Sequence, residues 1–183
     1  MCGGQTLAEG IAVKAPGLLC IPIVKALVSD IILVDETAIE RAISAFLGLQ
    51  KTMAEGAGAA GLAALLTQPE RFAGRKVGLV LCGGNIDSRV LASIMIRDLE
   101  RQDKIISLRL VIDDKPGMLG AIAVQLGASG ANILEVMHRR TLLNVPAKGA
   151  ILDVVVEVKN ADHAREVMNA LEAAGHPVMR IDA

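Results

Sequence analysis

Aromatic side chains are nearly missing from this chain, which has two Phe and neither Trp nor Tyr in 183 residues. Proteins that bind single-stranded nucleic acid stack bases on such rings. Basic residues are not in excess either, because 19 Lys and Arg are balanced by 20 Asp and Glu. Without stacking rings or a basic face, we expect no nucleic-acid partner. The core must be built from Ala, Val, Ile, Leu and Met.

Cysteine is also scarce. Cys2, Cys20 and Cys82 form no Cys-x-x-Cys pair and have no His–Cys ligand spacing, so we expect no metal site. Their odd number argues against a disulfide framework and suits a reducing cytoplasm. The sequence has no apolar run of membrane-spanning length and no signal peptide. We therefore expect a cytoplasmic protein without a membrane partner.

The first half of the chain is organised around residues 77–81, a short apolar run typical of a strand buried on both faces. The run ends at Cys82-Gly83-Gly84, and Asp87 or Ser88 can cap a following helix. The carboxyl end of a parallel strand that leads into a helix is a common ligand site. The alternative is a plain turn with an inert, buried Cys, because one Gly-Gly pair is a weak signal.

Two further segments define this half. Residues 31–34 predict a buried strand, after which Asp35 caps a helix. Residues 51–61 are rich in Gly and Ala, which allow close packing of backbone on backbone or on a ligand. Glu55 is the only acid in that apolar run, and a buried carboxylate needs a partner or a cofactor. The alternative is an exposed Glu at a helix start.

The second half predicts a βαββαβ order. Strands are expected over residues 106–112, 131–142, 152–158 and 177–181, with helices over 119–126 and 164–171. This order is that of a ferredoxin-like unit with two helices on one face of an antiparallel sheet. Val111, Met137 and Val155 fall on the other face, where we expect dimer or domain packing. A charge-rich segment places the domain boundary near Asp103-Lys104, giving domains 1–103 and 104–183.

Several motifs together carry a family resemblance. Residues 82–87 (Cys-Gly-Gly-Asn-Ile-Asp), 51–61 and 7–14 resemble the threonine ammonia-lyases, also called threonine dehydratases, which are fold-type II pyridoxal-phosphate enzymes. Residues 114–119 and 130–133 resemble the ACT domain attached to them. The resemblance covers essentially the whole chain. It implies an α/β fold, with a partial tryptophan synthase β-like three-layer domain followed by a ferredoxin-like ACT regulatory domain.

The resemblance also assigns residues to a cofactor site for pyridoxal 5'-phosphate. Cys82 matches the position, usually Ser, that contacts the pyridine nitrogen, and Gly83 follows it. A thiol is a weak acid–base partner, which suits elimination of a β-hydroxyl better than transamination. Glu55 matches the acid near the cofactor ring, and Glu9-Gly10 matches the loop that closes over it.

One departure from the family pattern concerns catalysis. The family's Schiff-base lysine lies in a Ser-Phe-Lys motif, and no lysine of this sequence follows a Phe. The family's substrate-carboxylate and phosphate loops also belong upstream of residue 1. Residues 1–5 form a glycine-rich start that is unusual for a native domain, and we predict that the chain is cut from something longer. We expect the chain alone to be inactive and not to hold the cofactor.

The family function implied is conversion of L-threonine to 2-oxobutanoate and ammonia, with L-serine as a second substrate. An allosteric role in isoleucine biosynthesis follows, with isoleucine or valine bound at an ACT dimer interface. Gly117 lets a ligand carboxylate approach the amides at a helix start, although an ordinary turn is the alternative. The residues expected to contact the effector are Asp114, Gly117, Met118, Leu119, Asn132 and Ile133.

Two rival functions stay open. The chain could be a stand-alone amino-acid-binding or interaction module whose first 103 residues are a remnant, or it could complement a separately encoded amino-terminal half. His138, His163 and His176 are interpreted as structural or surface residues. Because the faces of the first half were built to pack on other segments, we expect exposed hydrophobic surface and tight self-association or aggregation.

Overall fold

A computed structural model describes residues 6–141 and 145–181 of the chain. The predictions for residues 1–5 and for Leu142, at the end of a predicted strand, lie outside these ranges. The chain divides into two compact units that meet between Asp98 and Leu99. The domain boundary that we predict near Asp103 stays a prediction. Within the described ranges, no helix is both long and apolar enough to cross a membrane.

The described part of the first unit is helical. Its elements are a 3₁₀ turn Glu9–Ile11, α1 Cys20–Leu27, α2 Glu36–Gln50, α3 Gly56–Thr67, α4 Pro69–Phe72 and α5 Ser88–Arg101, the last of which continues into the second unit. The Asp35 carboxylate accepts a hydrogen bond of 2.7 Å from the Ala38 N–H, so the predicted cap of α2 is confirmed. The Asp87 carboxylate accepts from the N–H groups of Arg89 and Val90, and it caps α5.

The core of the first unit lies where α2 meets α3. Ile39 and Ile43 of α2 pack with small residues of α3, of which Ala59 and Ala63 are fully buried, and with Ile94 of α5. Small side chains on α3 let the two helix backbones approach closely, which compensates for the lack of aromatic rings. The apolar face of α2 therefore lies in this core.

The two strands predicted in this unit are not formed. Residues 31–34 and 77–81 belong to no helix or strand, and within the described part of the chain no backbone hydrogen bond involves 77–81. Exposure of their side chains is uneven: Leu33 and Val80 are 89% and 84% accessible, whereas Val77, Leu79 and Leu81 are 37–41% accessible. A strand requires a neighbour for its N–H and C=O groups, and none of the described residues supplies one. The prediction of buried strands was wrong for this structure.

The second unit has the predicted βαββαβ order. Its elements are β1 Ile105–Asp113, α6 Met118–Ala128, β2 Asn132–Arg139, β3 Gly149–Glu157, α7 Ala161–Ala173 and β4 Val178–Ile181. The strands form one antiparallel sheet in the order β2-β3-β1-β4, with an irregularity in the β2–β3 register between Ile133 and Glu135. The ferredoxin-like prediction is confirmed.

Alternation along β1 and β3 separates the two faces of this sheet. Leu108, Leu110 and Leu152 have no accessible surface and pack with apolar residues of α6 and α7. Full burial of each such side chain contributes about 1.5–3 kcal/mol. On the opposite face, Val111 and Met137 are about half exposed, as the pattern predicts.

His163 joins the two helices of the second unit. Its Nδ1 accepts a hydrogen bond from the Lys159 N–H, so its Nε2 carries the proton and donates to the Ser129 carbonyl at 2.7 Å. The side chain of Asn160 caps α7 by accepting from the His163 N–H. The buried His163 is structural, as predicted.

Candidate functional site

Three separate segments of the first unit bring the predicted cofactor residues together. Glu55 immediately precedes α3, Gly10 lies in the 3₁₀ turn, and Cys82-Gly83 follow the apolar segment 77–81. The Glu55 N–H donates a hydrogen bond of 3.2 Å to the Gly83 carbonyl, which fixes the start of α3 against the loop. Gly10 lies 45 positions before Glu55 in the sequence, and Cys82 lies 27 positions after it. The fold nevertheless brings the three segments into one cluster.

The Glu55 carboxylate lies between two glycines. A Cβ atom added to Gly83 would lie 2.4 Å from the Glu55 Cδ, and one added to Gly10 would lie 3.2 Å from its Oε1. Gly83 also has a φ of 82°, a left-handed conformation that favours glycine. Any larger residue at position 83 would displace the carboxylate.

Backbone packs directly on backbone at the start of α3. A Cβ at Gly58 would lie 2.3 Å from the Cys82 carbonyl oxygen, and one at Gly56 would lie 2.1 Å from the Leu7 carbonyl oxygen. These contacts confirm that the small residues of 51–61 allow close backbone packing. Because of them, α3 holds both the Leu7 segment and the Cys82 loop in place.

The cluster presents an unsatisfied acid and an accessible thiol. Glu55 occupies the position before α3 but makes no capping bond with its side chain, and within the described residues its half-buried carboxylate has no hydrogen-bond partner. Cys82 is exposed rather than buried, so the alternative of an inert core thiol was wrong. The Glu55 carboxylate, a hydrogen-bond acceptor, and the Cys82 thiol, a weak donor, lie beside glycine backbone and suit the edge of a polar aromatic ring such as pyridoxal phosphate. No cluster suited to a metal ion occurs among the residues that the structure describes.

The predicted effector residues are not brought together within one chain. Asp114, Gly117, Met118 and Leu119 follow β1, whereas Asn132 and Ile133 begin β2. On the shared neighbour β3, Asp113 pairs with Gly149 and Asn132 pairs with Glu157. Eight residues of strand separate these points, or roughly 26 Å. The two groups therefore lie at opposite ends of the sheet.

The turn after β1 is open to solvent. Gly117 precedes α6 with a φ of 86°, no side chain caps the helix there, and a Cβ at Gly117 would meet nothing within 4 Å. The Asp114 carboxylate accepts a hydrogen bond of 2.9 Å from the Arg140 Nε. At the other end, the Asn132 side chain donates to the Glu157 carboxylate. The first amides of α6 are therefore accessible to an anionic group.

A charged cluster that the sequence analysis missed crosses the open face of the sheet. The Asp153 carboxylate accepts two bonds from Arg109, at 2.7 Å from Nε and 2.8 Å from Nη2, and a third from Arg139. The bond from Arg109 is the main cause that holds the pKa of Asp153 below its usual range, against the effect of burial. The strand register makes Arg109 and Asp153 direct neighbours, and opposite charges at alternate strand positions were the available signal.

Comparison with known proteins extends these observations. Residues 2–83 match the family model described as "Pyridoxal-phosphate dependent enzyme". The L-threonine ammonia-lyase of Geobacter sulfurreducens is 36% identical over 173 residues, which cover 94% of this chain and 43% of that protein. The L-threonine ammonia-lyase of Thermotoga maritima is 36% identical over 176 residues, which cover 96% of this chain and 44% of that protein.

Solved structures match the chain only in part. The ACT domain of a GTP pyrophosphokinase from Chlorobium tepidum is 23% identical and covers 42% of this chain and 96% of that domain, with a TM-score of 0.34. A prephenate dehydratase from Streptococcus mutans is 18% identical over 42% of this chain and 40% of that protein, with a TM-score of 0.35. These likenesses add nothing to the fold that the strand order already establishes.

The sequence relatives are the stronger finding, because their identity extends through both units. The chain spans less than half the length of these curated relatives. Over 94–96% of its length it is similar to L-threonine ammonia-lyases, and its residues 2–83 match the pyridoxal-phosphate dependent enzymes.

Proposed function

We propose that the chain is the carboxyl-terminal part of a threonine (serine) ammonia-lyase that converts L-threonine to 2-oxobutanoate and ammonia in the cytoplasm. The observation that supports it best is the convergence of Gly10, Glu55 and Cys82-Gly83 in a chain whose relatives are L-threonine ammonia-lyases. Pyridoxal phosphate, when bound, supplies the electron-withdrawing ring that makes the α-proton of an amino acid removable.

Each residue of the cluster has a distinct part in this proposal. The accessible Cys82 thiol would face the ring nitrogen, and as a weak hydrogen-bonding group it leaves that nitrogen without a proton. The half-buried Glu55 carboxylate, flanked by Gly10 and Gly83, would accept a hydrogen bond at the edge of the ring. Gly10 would allow backbone to cover the ring and exclude water.

Catalysis by this chain alone is not part of the proposal. The lysine that the resemblance assigns to covalent attachment of the cofactor has no counterpart in a Ser-Phe-Lys motif here. Without that lysine, the covalent anchor of the cofactor and the amine that the resemblance assigns as base for the α-proton are both missing from this sequence. We therefore expect the purified chain to leave threonine unchanged, and we expect weak or no retention of pyridoxal phosphate.

The second unit is proposed to sense an amino acid such as isoleucine, valine, serine or threonine. The open amides at the start of α6 suit a carboxylate. Asp114 and Asn132 lie at opposite ends of one sheet, so a single ligand can contact both groups only if a second copy contributes one of them. The half-exposed Val111 and Met137 favour association through the open face of the sheet.

Calorimetry and an assay of threonine turnover test the proposal. Calorimetry with isoleucine, valine, serine and threonine should show saturable binding of at least one of these amino acids. The expected stoichiometry is one ligand for each binding site that a dimer forms. Absence of heat with all four would count against the sensor. The alternative, a stand-alone amino-acid-binding module, is favoured if binding occurs but no partner polypeptide restores threonine turnover.

A further inference from the structure

One carboxylate of α2 binds the segment that leads to Gly10. Glu36, in the first turn of α2, accepts a hydrogen bond of 2.9 Å from the Leu7 N–H through Oε2, and its Oε1 accepts another from the Thr6 hydroxyl. The Thr6 oxygen in turn accepts from the Ala8 N–H at 3.1 Å. Glu36 therefore engages two consecutive residues directly and the next one through the Thr6 hydroxyl.

The same segment lies against α3 on its other side. A Cβ at Gly56 would lie 2.1 Å from the Leu7 carbonyl oxygen and 2.9 Å from the Ala8 nitrogen. The Leu7 side chain packs on the core of the first unit, and Ala8 is buried. Packing on α3 limits how near the segment can come, whereas the hydrogen bonds to α2 also fix its direction.

The place of the 3₁₀ turn Glu9–Ile11 follows from the residues held in this way. The Ile11 N–H donates to the Ala8 carbonyl at 3.0 Å, so the turn is closed onto a residue that is already fixed. Within the turn, an added Cβ at Gly10 would lie 3.2 Å from the Glu55 Oε1. A displacement of Ala8 would therefore move Gly10 relative to the Glu55 carboxylate.

We propose that Glu36 is a positioning residue, which sets the distance between Gly10 and the Glu55 carboxylate through the backbone of the segment before the turn. The inference rests on the proposed function, because that function assigns Gly10 to the cover of the cofactor ring and Glu55 to its edge. Groups that contact a ligand are held in place by a surrounding set of hydrogen bonds. Asp35 already caps α2, so the Glu36 carboxylate is not needed for that task.

A second role for Glu36 would be purely structural. A carboxylate in the first turn of a helix stabilises the helix through its charge. Glu36→Gln and Glu36→Ala both remove this charge, but only Gln keeps an oxygen that can accept from the Leu7 N–H and an amide that can bond the Thr6 hydroxyl. A difference between the two variants therefore reports on the hydrogen bonds and not on the charge.

The test uses the full chain without cofactor, with hydrogen exchange and NMR as the measurements. We expect the amides of residues 7–12 to exchange about tenfold faster in Glu36→Ala than in the native chain, and less than about threefold faster in Glu36→Gln. The resonances of the Gly10 amide and the Glu55 carboxyl should shift in the Ala variant and stay close to their native positions in the Gln variant. Glu70→Ala, which removes an exposed carboxylate from the first turn of α4, is the matched control and should change neither.

A further variant keeps the test decisive if Glu36→Ala unfolds the first unit, which circular dichroism would reveal. Thr6→Val leaves the capped helix intact and removes only the hydroxyl, and it should also speed exchange in 7–12. Native exchange in 7–12 in a folded Ala or Val variant, or a Gln variant that behaves like the Ala variant, would overturn the proposal. Because these readouts need neither cofactor nor turnover, they can fail while the proposed reaction stands, and they can succeed while it fails.

Discussion

The two units of this chain differ in how fully their backbone groups are hydrogen-bonded and in how fully their apolar side chains are buried. In the second unit each of the four strands has a hydrogen-bonded neighbour, and Leu108, Leu110 and Leu152 are fully buried beneath α6 and α7. In the first unit a helical core is joined to segments outside helix and strand, in which Leu33 and Val80 face solvent. Apolar patterning thus predicts a strand correctly where its neighbours lie in the same stretch of chain. Where the partner strands lie elsewhere, the apolar pattern predicts only that the segment needs partner strands to pair with.

The largest difference in stability should appear when the same Leu→Ala truncation is made in each of the two units. Leu108→Ala removes a fully buried side chain and should lower the free energy of unfolding of the second unit by about 2–5 kcal/mol. Leu33→Ala, at an 89% exposed position, should change stability by less than about 0.5 kcal/mol. Urea unfolding followed by far-ultraviolet circular dichroism measures both, since the chain has no Trp or Tyr for fluorescence. Equal losses would show that Leu33 is buried in solution.

The next effect concerns backbone packing in the first unit. Gly58→Ala places a Cβ 2.3 Å from the Cys82 carbonyl oxygen and should destabilise the unit by about 1–3 kcal/mol. Gly48→Ala is the matched control, because that position of α2 has nothing within 4 Å. The control should be neutral or up to about 1 kcal/mol more stable. Thermal unfolding compares the two, and equal effects would contradict the close contact between α3 and the Cys82 loop.

A somewhat smaller effect is expected in the charged cluster of the second unit. Asp153→Asn leaves Arg109 and Arg139 without their carboxylate and should cost about 1–3 kcal/mol. Asp162→Asn, which removes an exposed ion pair with Arg165, should have little effect. Chemical unfolding of both variants beside the native chain tests this, and a neutral Asp153→Asn would mean that the cluster is not formed.

The same carboxylate should make stability depend on pH. Because the pKa of Asp153 is lower in the folded chain than its value of about 3.9 when unfolded, its contribution is complete above about pH 5. That contribution should be lost as the pH falls below about 4, through the folded pKa. Unfolding curves between pH 2.5 and 6 (roughly the range of carboxyl titration) should show a shallower acid loss in Asp153→Asn than in the native chain. Parallel curves would exclude this role.

The sequence predicted features that depend on neighbours close in the chain. Asp35 and Asp87 cap their helices as expected, and the βαββαβ order follows from alternation within one continuous half. The prediction of buried strands failed for 31–34 and 77–81, because strand pairing depends on partner segments that the local sequence pattern does not reveal. The contact of Glu55 with Gly10 and Gly83 came from family resemblance, and the bond between Arg109 and Asp153 needed the strand register.

Native-state hydrogen exchange on the full chain alone tests the contrast between the two units most directly. We expect the amides of β1 and β3 to be among the slowest to exchange, because they pair at the centre of the sheet. Those of 77–81 should exchange nearly as fast as in an unfolded peptide. Protection of 77–81 comparable to that of β3 would contradict the contrast between a paired sheet and an unpaired segment.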